Sequence, residues 1–409
     1  MDFETVKDLS SKYLFPNYGR LDLAFERGEG CYLYDAKGKQ YLDTVAGIAV
    51  CSLGYSHPDW VKAMRDQVSH LVHVSNLYYV EEQAQLAQRL NTVTPDAITR
   101  TLFVNSGAEA NEGAMKTAVR YTKRHKVLSA YNGFHGRTSA ALGATAQKKY
   151  QETFEPLINE KTFGYFEYND LESVKSLIDR DTACLLVEGI QGEGGVVCGT
   201  PEFLRGVRDL CTDYGVLMIV DEVQTGVGRT GKWWCMDNYG IVPDIITTAK
   251  GLAAGMPTLA AKLGPEGSED AARAIMTTDE IASVMTPGTH GTTFGGNPLV
   301  CASGCAVIDI INRNHILDNV STVGAAWKKD LEALKAKHPG KIKDVRGMGF
   351  IIGVEMDSEE TAAGVRKYMA DHQVLVNVAH GKTVRLIPPL IFTMEQKDEF
   401  MRVFTAALE

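Results

Sequence analysis

The chain has no apolar run near the ~20 residues needed to cross a bilayer. Its first residues, Met1-Asp2-Phe3-Glu4-Thr5, lack the basic and then apolar pattern of a secretory leader. A cytoplasmic protein with no membrane segment is expected. Lysines and arginines form no cluster, and the formal net charge is -9, which argues against nucleic acid as a partner. Local arginines can still hold a small anionic substrate. There is no internal repeat, low-complexity segment or long linker. The eight cysteines (Cys31, Cys51, Cys184, Cys198, Cys211, Cys235, Cys301 and Cys305) include no Cys-x-x-Cys pair and read as reduced, mostly buried thiols. Cys301 and Cys305 share a helix face without a second ligand pair nearby. His70-x-x-His73 is expected to continue a helical pattern, so no metal site is predicted.

At 409 residues the chain can build one large and one smaller unit. The N-terminal part reads as a short helix, an irregular segment around Pro16-Asn17-Tyr18-Gly19-Arg20, and a hairpin from Cys31 to Asp43. After His57-Pro58 the spacing of Val61, Met64, Val68 and Leu71 predicts a helix. From about residue 100 the pattern is strand, turn, helix, repeated, which predicts a mostly parallel sheet covered on both faces. Beyond about 300 come two helices, a strand pair from Val345 to Glu355, a strand at Val384 to Leu386, and a last helix. The expected division is 1–50 joining the small domain, 51–300 as the large domain, and 301–409 as a small α+β domain.

The rest of the chain is organised around residues 216–255. Val216-Leu217-Met218-Ile219-Val220 reads as a buried strand ending at Asp221. Asp244-Ile245-Ile246-Thr247-Thr248 reads as another, ending at Ala249-Lys250. Ligands in open α/β sheets bind outside the carboxyl ends of strands. Between the two strands, Gly226-Val227-Gly228-Arg229-Thr230-Gly231 matches the dinucleotide pattern, but Asp221 to Thr225 separate it from its strand and no helical periodicity follows. The same glycines nearly match a phosphate loop, except that Trp233 stands where Ser or Thr must bind magnesium. A turn separating acid from lysine is the expected reading; a nicotinamide dehydrogenase is the alternative outside it.

Two further stretches carry chemistry. Asn105-Ser106-Gly107-Ala108 follows a strand and opens a helix. Free N–H groups there suit a phosphate, and a plain serine N-cap explains the stretch equally well. Phe134 and Arg137 lie in a loop after the next strand. The ring can stack on a flat cofactor and the guanidinium can clamp a carboxylate; alone, each also fits a core or surface role. A carboxylate near a pyridine nitrogen keeps that ring protonated, and a lysine can join an aldehyde. Asp221 and Lys250, with the phosphate nest and the ring, match every handle of pyridoxal 5′-phosphate.

Six motifs resemble the class III pyridoxal-phosphate-dependent aminotransferases of fold type I, and within them the acetylornithine enzymes. They are Asn105 to Glu112, Phe134 to Thr138, Glu188-Gly189-Ile190-Gln191-Gly192-Glu193-Gly194-Gly195, Asp221 to Gly226, Lys250-Gly251, and Gly291 to Pro298. The resemblance runs from Asn17 to Leu390. It implies an α/β fold with a mostly parallel sheet in a large domain and a smaller α+β domain. It implies that Lys250 is joined to the cofactor and moves the proton, and that Asp221 pairs with the ring nitrogen. Gln224 would bond the ring's phenolic oxygen, Val223 would pack under the ring, and Phe134 would stack above it. Ser106, Gly107 and Ala108 would hold the phosphate, with Glu188 beside the cofactor. Thr293 would reach the phosphate from a partner subunit and Thr292 would lie near substrate, implying a homodimer. Arg137 and Arg385 would bind substrate carboxylates, Glu193 would neutralise Arg385, and Tyr18 would lie at the distal end of the substrate. The implied reaction moves the terminal amino group of N-acetylornithine to 2-oxoglutarate; ornithine, succinylornithine, 4-aminobutyrate and β-amino acids are alternative donors. Gly189 replaces a proline common among relatives, which is expected to loosen its loop. Ile48 is aliphatic where ornithine aminotransferases carry a bulky polar aromatic, which favours a longer acylated donor.

Overall fold

The computed structural model describes residues 1–159, 161–256 and 273–409. Its centre is a seven-stranded sheet. The strands are β1 (Arg100–Val104), β2 (Lys126–Ala130), β3 (Phe163–Phe166), β4 (Thr182–Val187), β5 (Leu217–Asp221), β6 (Ile245–Thr248) and β7 (Arg273–Thr277). Their spatial order is β1-β7-β6-β5-β4-β2-β3. All run the same way except β7, which is antiparallel to both neighbours. β4 and β5 are buried along their whole length. Strands covered on both faces lose the polar alternation of an exposed sheet, hence their unbroken apolar sequences.

The expected local rules operate at the helix ends. Helix α1 (Gly107–Thr122) starts at Ser106, whose hydroxyl accepts from the Glu109 N–H at 2.9 Å. Helix α2 (Pro201–Tyr214) has Thr200 as N-cap and Pro201 in its first turn, and it stops at Gly215, where φ is +60°. The chain then enters β5 directly, so Asp221 is fixed in space by a capped helix and a buried strand.

Two strands of this sheet, β3 and β7, were not legible from sequence patterning. The helix after Pro58 also differs from expectation. It covers Pro58–Val68, and of its predicted apolar stripe only Met64 is buried. Ser69 closes it through bonds to the Arg65 and Asp66 carbonyls. His70 and His73 therefore lie beyond the helix.

A second, antiparallel sheet contains Ile342–Met348, Ile351–Met356, Thr383–Leu386 and Asn377–Ala379, in that order. The N-terminal strands Arg27–Glu29, Tyr32–Tyr34 and Gln40–Asp43 form a third sheet. Its last member is Val374–Leu375, which pairs in parallel with Leu42 and Asp43. Helices α3 (Pro298–Arg313) and α4 (Ile316–Lys337) pack between the N-terminal helices and the second sheet. Among the described residues no helix is long and apolar enough to cross a membrane.

The glycine run is more than the turn expected of it. Gly228 and Gly231 adopt φ of +90° and +85°, and no helix begins at Gly231, so the dinucleotide pattern has no partner element. Instead the run docks the second sheet: the Phe350 N–H donates to the Arg229 carbonyl at 2.8 Å.

Candidate active site

The loops after β1, β2, β4, β5 and β6 all leave the same edge of the large sheet and carry the residues singled out in the sequence. After β1, the first helical turn of α1 has N–H groups that no helical carbonyl can satisfy. Glu109 N–H is taken by Ser106, and the Glu109 carboxylate accepts from Asn105 N–H at 2.9 Å. That leaves the N–H groups of Gly107 and Ala108, with the Ser106 hydroxyl proton beside them. A Cβ on Gly107 would lie 3.0 Å from a Val223 methyl group, so glycine brings the nest directly against the β5 loop.

Asp221 is buried and fully bonded. Its Oδ2 accepts from Asn111 Nδ2 at 2.7 Å and lies 2.8 Å from His135 Nδ1; its Oδ1 accepts from Val223 N–H at 2.9 Å. Thr247 of β6 in turn donates to Asn111 Oδ1 at 2.7 Å. Burial disfavours a charged His135, but the hydrogen bond and charge of Asp221, helped by Glu188, outweigh it and raise its pKa. The His135 ring and the Asn111 amide thus both bond the Asp221 carboxylate and fix it in place. Burial pushes the neighbouring Glu188 up to about 7. Glu188 accepts from the Phe134 N–H at 3.2 Å and the Gly192 N–H at 3.3 Å, joining the β2 and β4 loops. Asn111 and His135 were quoted in motifs without a role; the signal was a polar residue on the buried face of α1 and a histidine beside the aromatic.

Phe134 is half-buried and meets Tyr150 edge-on at 5.6 Å. Arg137 is exposed, with its guanidinium 5.7 Å from the Phe134 ring and 5.3 Å from the Tyr150 ring. Lys250 follows β6 after one residue, Ala249, and at φ +43° opens a short helical turn. That backbone region disfavours a non-glycine residue and marks a position the surroundings impose. Ser52 helps impose it by donating to the Gly251 carbonyl at 2.8 Å.

The opposite end of the site centres on Arg385, which is 1% exposed. Its Nη1 donates to Glu193 Oε1 at 2.6 Å and Gln224 Oε1 at 2.9 Å, and its Nη2 and Nε reach Asn377 Oδ1 at 2.7 and 3.1 Å. Burial would raise Glu193, but the charge and hydrogen bond of Arg385, then the charge of Lys250, hold it below its ordinary value. Lys250, Gln224, Glu193 and Arg385 therefore lie close together. Gly192 makes room for them: a Cβ there would sit 2.1 Å from Gln224 Oε1.

The other expected residues lie further out. Thr292 accepts from Asn105 Nδ2 within its own chain, and Thr293 is exposed. Tyr18 is exposed, with Arg20 over its ring. Ile48 sits in an unforeseen left-handed turn: Ala46, Gly47, Ile48 and Ala49 have φ of +51°, +62°, +64° and +62°. Such a conformation costs a non-glycine residue roughly 1–2 kcal/mol. The buried Asp43 carboxylate holds it, accepting from Val45 N–H, Ala46 N–H and Tyr55 O–H. Gly189 needs no unusual backbone; what requires glycine is space, because a Cβ would lie 2.7 Å from Cys235 Sγ.

The donor set fits pyridoxal phosphate: a helix N-terminus for the phosphate, a buried and fully bonded acid, a lysine just past a strand end and a half-buried aromatic. Comparison with known proteins agrees. The sequence pattern of the aminotransferase class-III family matches residues 13–408. Acetylornithine aminotransferase of Caldanaerobacter subterraneus subsp. tengcongensis is 41% identical over 97% of both chains. That of Nostoc sp. is 42% identical over 96% of this chain and 90% of its own. Among solved structures, ornithine aminotransferase from Toxoplasma gondii ME49 superposes with a TM-score of 0.91 at 29% identity, covering 100% of this chain and 95% of that one. Acetylornithine aminotransferase from Elizabethkingia anophelis gives 0.86 at 28% identity, covering 100% and 99%. The acid, the lysine and the phosphate nest at one sheet edge thus belong to a chain of the class III aminotransferases, whose cofactor is pyridoxal 5′-phosphate.

Proposed function

We propose that this aminotransferase moves the terminal amino group of N-acetylornithine to 2-oxoglutarate, giving N-acetylglutamate semialdehyde and glutamate. The observation that carries the reading is the ion pair between Arg385 and Glu193. A terminal amine sits on a carbon with no carboxylate. A free guanidinium beside that carbon would be a buried charge without a partner, which is costly. Glu193 removes the cost. When the acceptor arrives, its carboxylate can replace Glu193 on the same guanidinium, so one pocket serves two dissimilar substrates.

Pyridoxal phosphate, when bound, supplies an aldehyde and an electron-withdrawing ring. The chain supplies the rest. Gly107, Ala108 and Ser106 offer donors to the phosphate. Asp221, held in place by Asn111 and His135, would favour a proton on the ring nitrogen. Val223 and Phe134 offer apolar faces, with Gln224 and Glu188 beside them. The Lys250 amine would be the base that takes the proton from the amine-bearing carbon and holds it for return to the cofactor's aldehyde-derived carbon. Arg137, exposed at the rim, suits the distal carboxylate of donor or acceptor, with Tyr18 and Thr292 further out.

The acetylated donor is supported by the curated relatives near 40% identity and by the aliphatic, partly exposed Ile48. A cytoplasmic homodimer is part of the proposal. The exposed Leu77, Tyr78 and Tyr79 make a patch suited to a second copy, and the exposed Thr293 lies near it in the fold, since Asn76 donates to the Thr292 and Gly295 carbonyls. Among the described residues all eight cysteines are free, as a reducing compartment requires. The test is a panel of amines, each with 2-oxoglutarate, ranked by kcat/KM. N-acetylornithine is expected to lead free ornithine, succinylornithine and 4-aminobutyrate; a lead for any of these overturns the donor assignment.

A further inference from the structure

Arg229 lies in the glycine-rich turn that follows Asp221 and Gln224. It is 2% exposed, and burial pushes its guanidinium down to about 9. A buried cation is costly unless it is bonded, yet among the described residues this one has no carboxylate partner. Its bonds go to main-chain carbonyls of the second sheet and its exit. Nη1 donates to Phe350 O at 3.3 Å and to Pro388 O. The two backbones also touch: Arg229 O accepts from Phe350 N–H at 2.8 Å, and a Cβ on Gly349 would lie 2.6 Å from Arg229 O.

Pro388 is three residues beyond Arg385. The same segment is pinned elsewhere by Ile387 N–H to Thr44 O at 2.9 Å and Leu390 N–H to Ser52 O at 2.8 Å. Thus one loop grips the Arg385 strand twice: Gln224 holds the guanidinium, and Arg229 holds the backbone just past it. Packing alone would be served better by an apolar side chain, since a buried charge adds desolvation without adding volume. A planar donor that bridges two carbonyls gives registration instead.

We propose that Arg229 is a positioning residue: it fixes where the Arg385 guanidinium stands relative to the loop of Asp221 and Gln224, and so governs binding of the carboxylate at the reacting carbon. This rests on the reading of Arg385 as the group that takes that carboxylate. An error of about 1 Å in such a group is enough to weaken substrate positioning severely.

The test uses the cofactor-loaded enzyme with Arg229→Met, Arg229→Lys and, in parallel, Arg385→Met. Each half-reaction is followed separately by cofactor absorbance, and binding of glutarate, a dicarboxylate that cannot react, is measured by calorimetry. Arg229→Met is expected to raise the KM for 2-oxoglutarate and the Kd for glutarate about tenfold. The amine half-reaction should stay within about twofold, because Glu193 serves Arg385 there. Arg229→Lys, which keeps one donor, should fall between, and it carries the test alone if the methionine variant does not fold. Equal losses in both half-reactions, or no loss in either, overturn the proposal in favour of a plain structural staple. If Arg385→Met itself leaves the 2-oxoglutarate KM unchanged, the assignment of Arg385 has failed, and the proposal falls with it for that identifiable reason.

Discussion

At the Asp221 end of the site, a carboxylate is gripped by Asn111, by His135 and by the Val223 N–H, all from the large sheet and its loops. At the Arg385 end, a guanidinium is shared among Glu193, Gln224 and Asn377, drawn from two different sheets. The contrast lies in which partner can leave. Nothing at the first end is exposed; the side chains of His135 and Asp221 are 1% and 3% accessible. At the second, Arg385 is 2% accessible and doubly held by Asn377, while Glu193 is 23% accessible, with Gln224 its weaker second contact at 3.4 Å. The first end is a buried, fully bonded acid, and the second is an ion pair whose acid is partly exposed.

The largest effect should come from breaking the fixed end. On the proposed reading Asp221→Ala removes the carboxylate that would favour a protonated ring, and both half-reactions should fall together, by roughly 10³-fold. Single-turnover rates with an amine and with 2-oxoglutarate check this. A loss confined to one half-reaction would mean that the two ends are not as separate as the bonding indicates.

Next comes the end that opens. Glu193→Gln keeps the shape but cannot neutralise Arg385. The amine half-reaction should slow about tenfold, equivalent to about 1.4 kcal/mol, while the 2-oxoglutarate half-reaction changes little. The pH behaviour has a definite sign. The pKa of Glu193 is held below its ordinary value, so the pair's contribution is present above the unfolded-state pKa and is lost as pH falls through the lower folded value. Selectivity for terminal amines should therefore persist through neutral pH in the wild type and be absent at every pH in the variant.

The same contrast explains what was legible in the sequence. The phosphate nest, Phe134, Asp221 and Lys250 each sit at the end of a strand, and strand ends can be read from apolar runs and caps. All of them lie on one sheet, so reading the strands as parallel places them together. Arg385 meets Glu193 and Gln224 across the junction of two sheets, and no local period encodes that meeting; family resemblance implied the Glu193 pair but not the bond to Gln224. Strand β7 escaped notice because it runs against the parallel pattern, and the turn at Ala46–Ala49 because left-handed backbone in alanine and isoleucine has no sequence signal. The glycine run was read as a spacer because a docking role depends on Phe350 and Pro388, far along the chain.

A smaller effect tests the seam between the ends. Gly189, at the root of the Glu193 loop, rests on Cys235, and Glu222, beside Asp221, accepts from the Met236 N–H at 3.0 Å. One turn thus braces both loops. Gly189→Ala should destabilise by about 1–3 kcal/mol through overpacking. Adding Cys235→Ala should recover most of that loss, because the clash is with its sulfur. Thermal unfolding of both single variants and the double variant measures the coupling; additive losses would mean that the glycine serves some other need.

The smallest effect concerns Glu222 itself. Burial pushes both Glu222 and Glu188 up to about 7. The folded protein therefore keeps protons that the unfolded chain releases near pH 4.3. Their contribution to stability is full below that value and fades as pH rises through about 7. Glu222→Gln preserves both bonds, since the amide can accept from Met236 N–H and donate to the Thr225 hydroxyl, the present partner at 2.5 Å. It cannot titrate. The decline in Tm between pH 5 and pH 8 should therefore be shallower in the variant than in the wild type, by about 2 °C. The catalytic profile should hold its shape, because Asp221 beside it is bonded independently of Glu222. Parallel Tm curves would show that Glu222 is ionised throughout, and the brace at Met236 would then be a charged one.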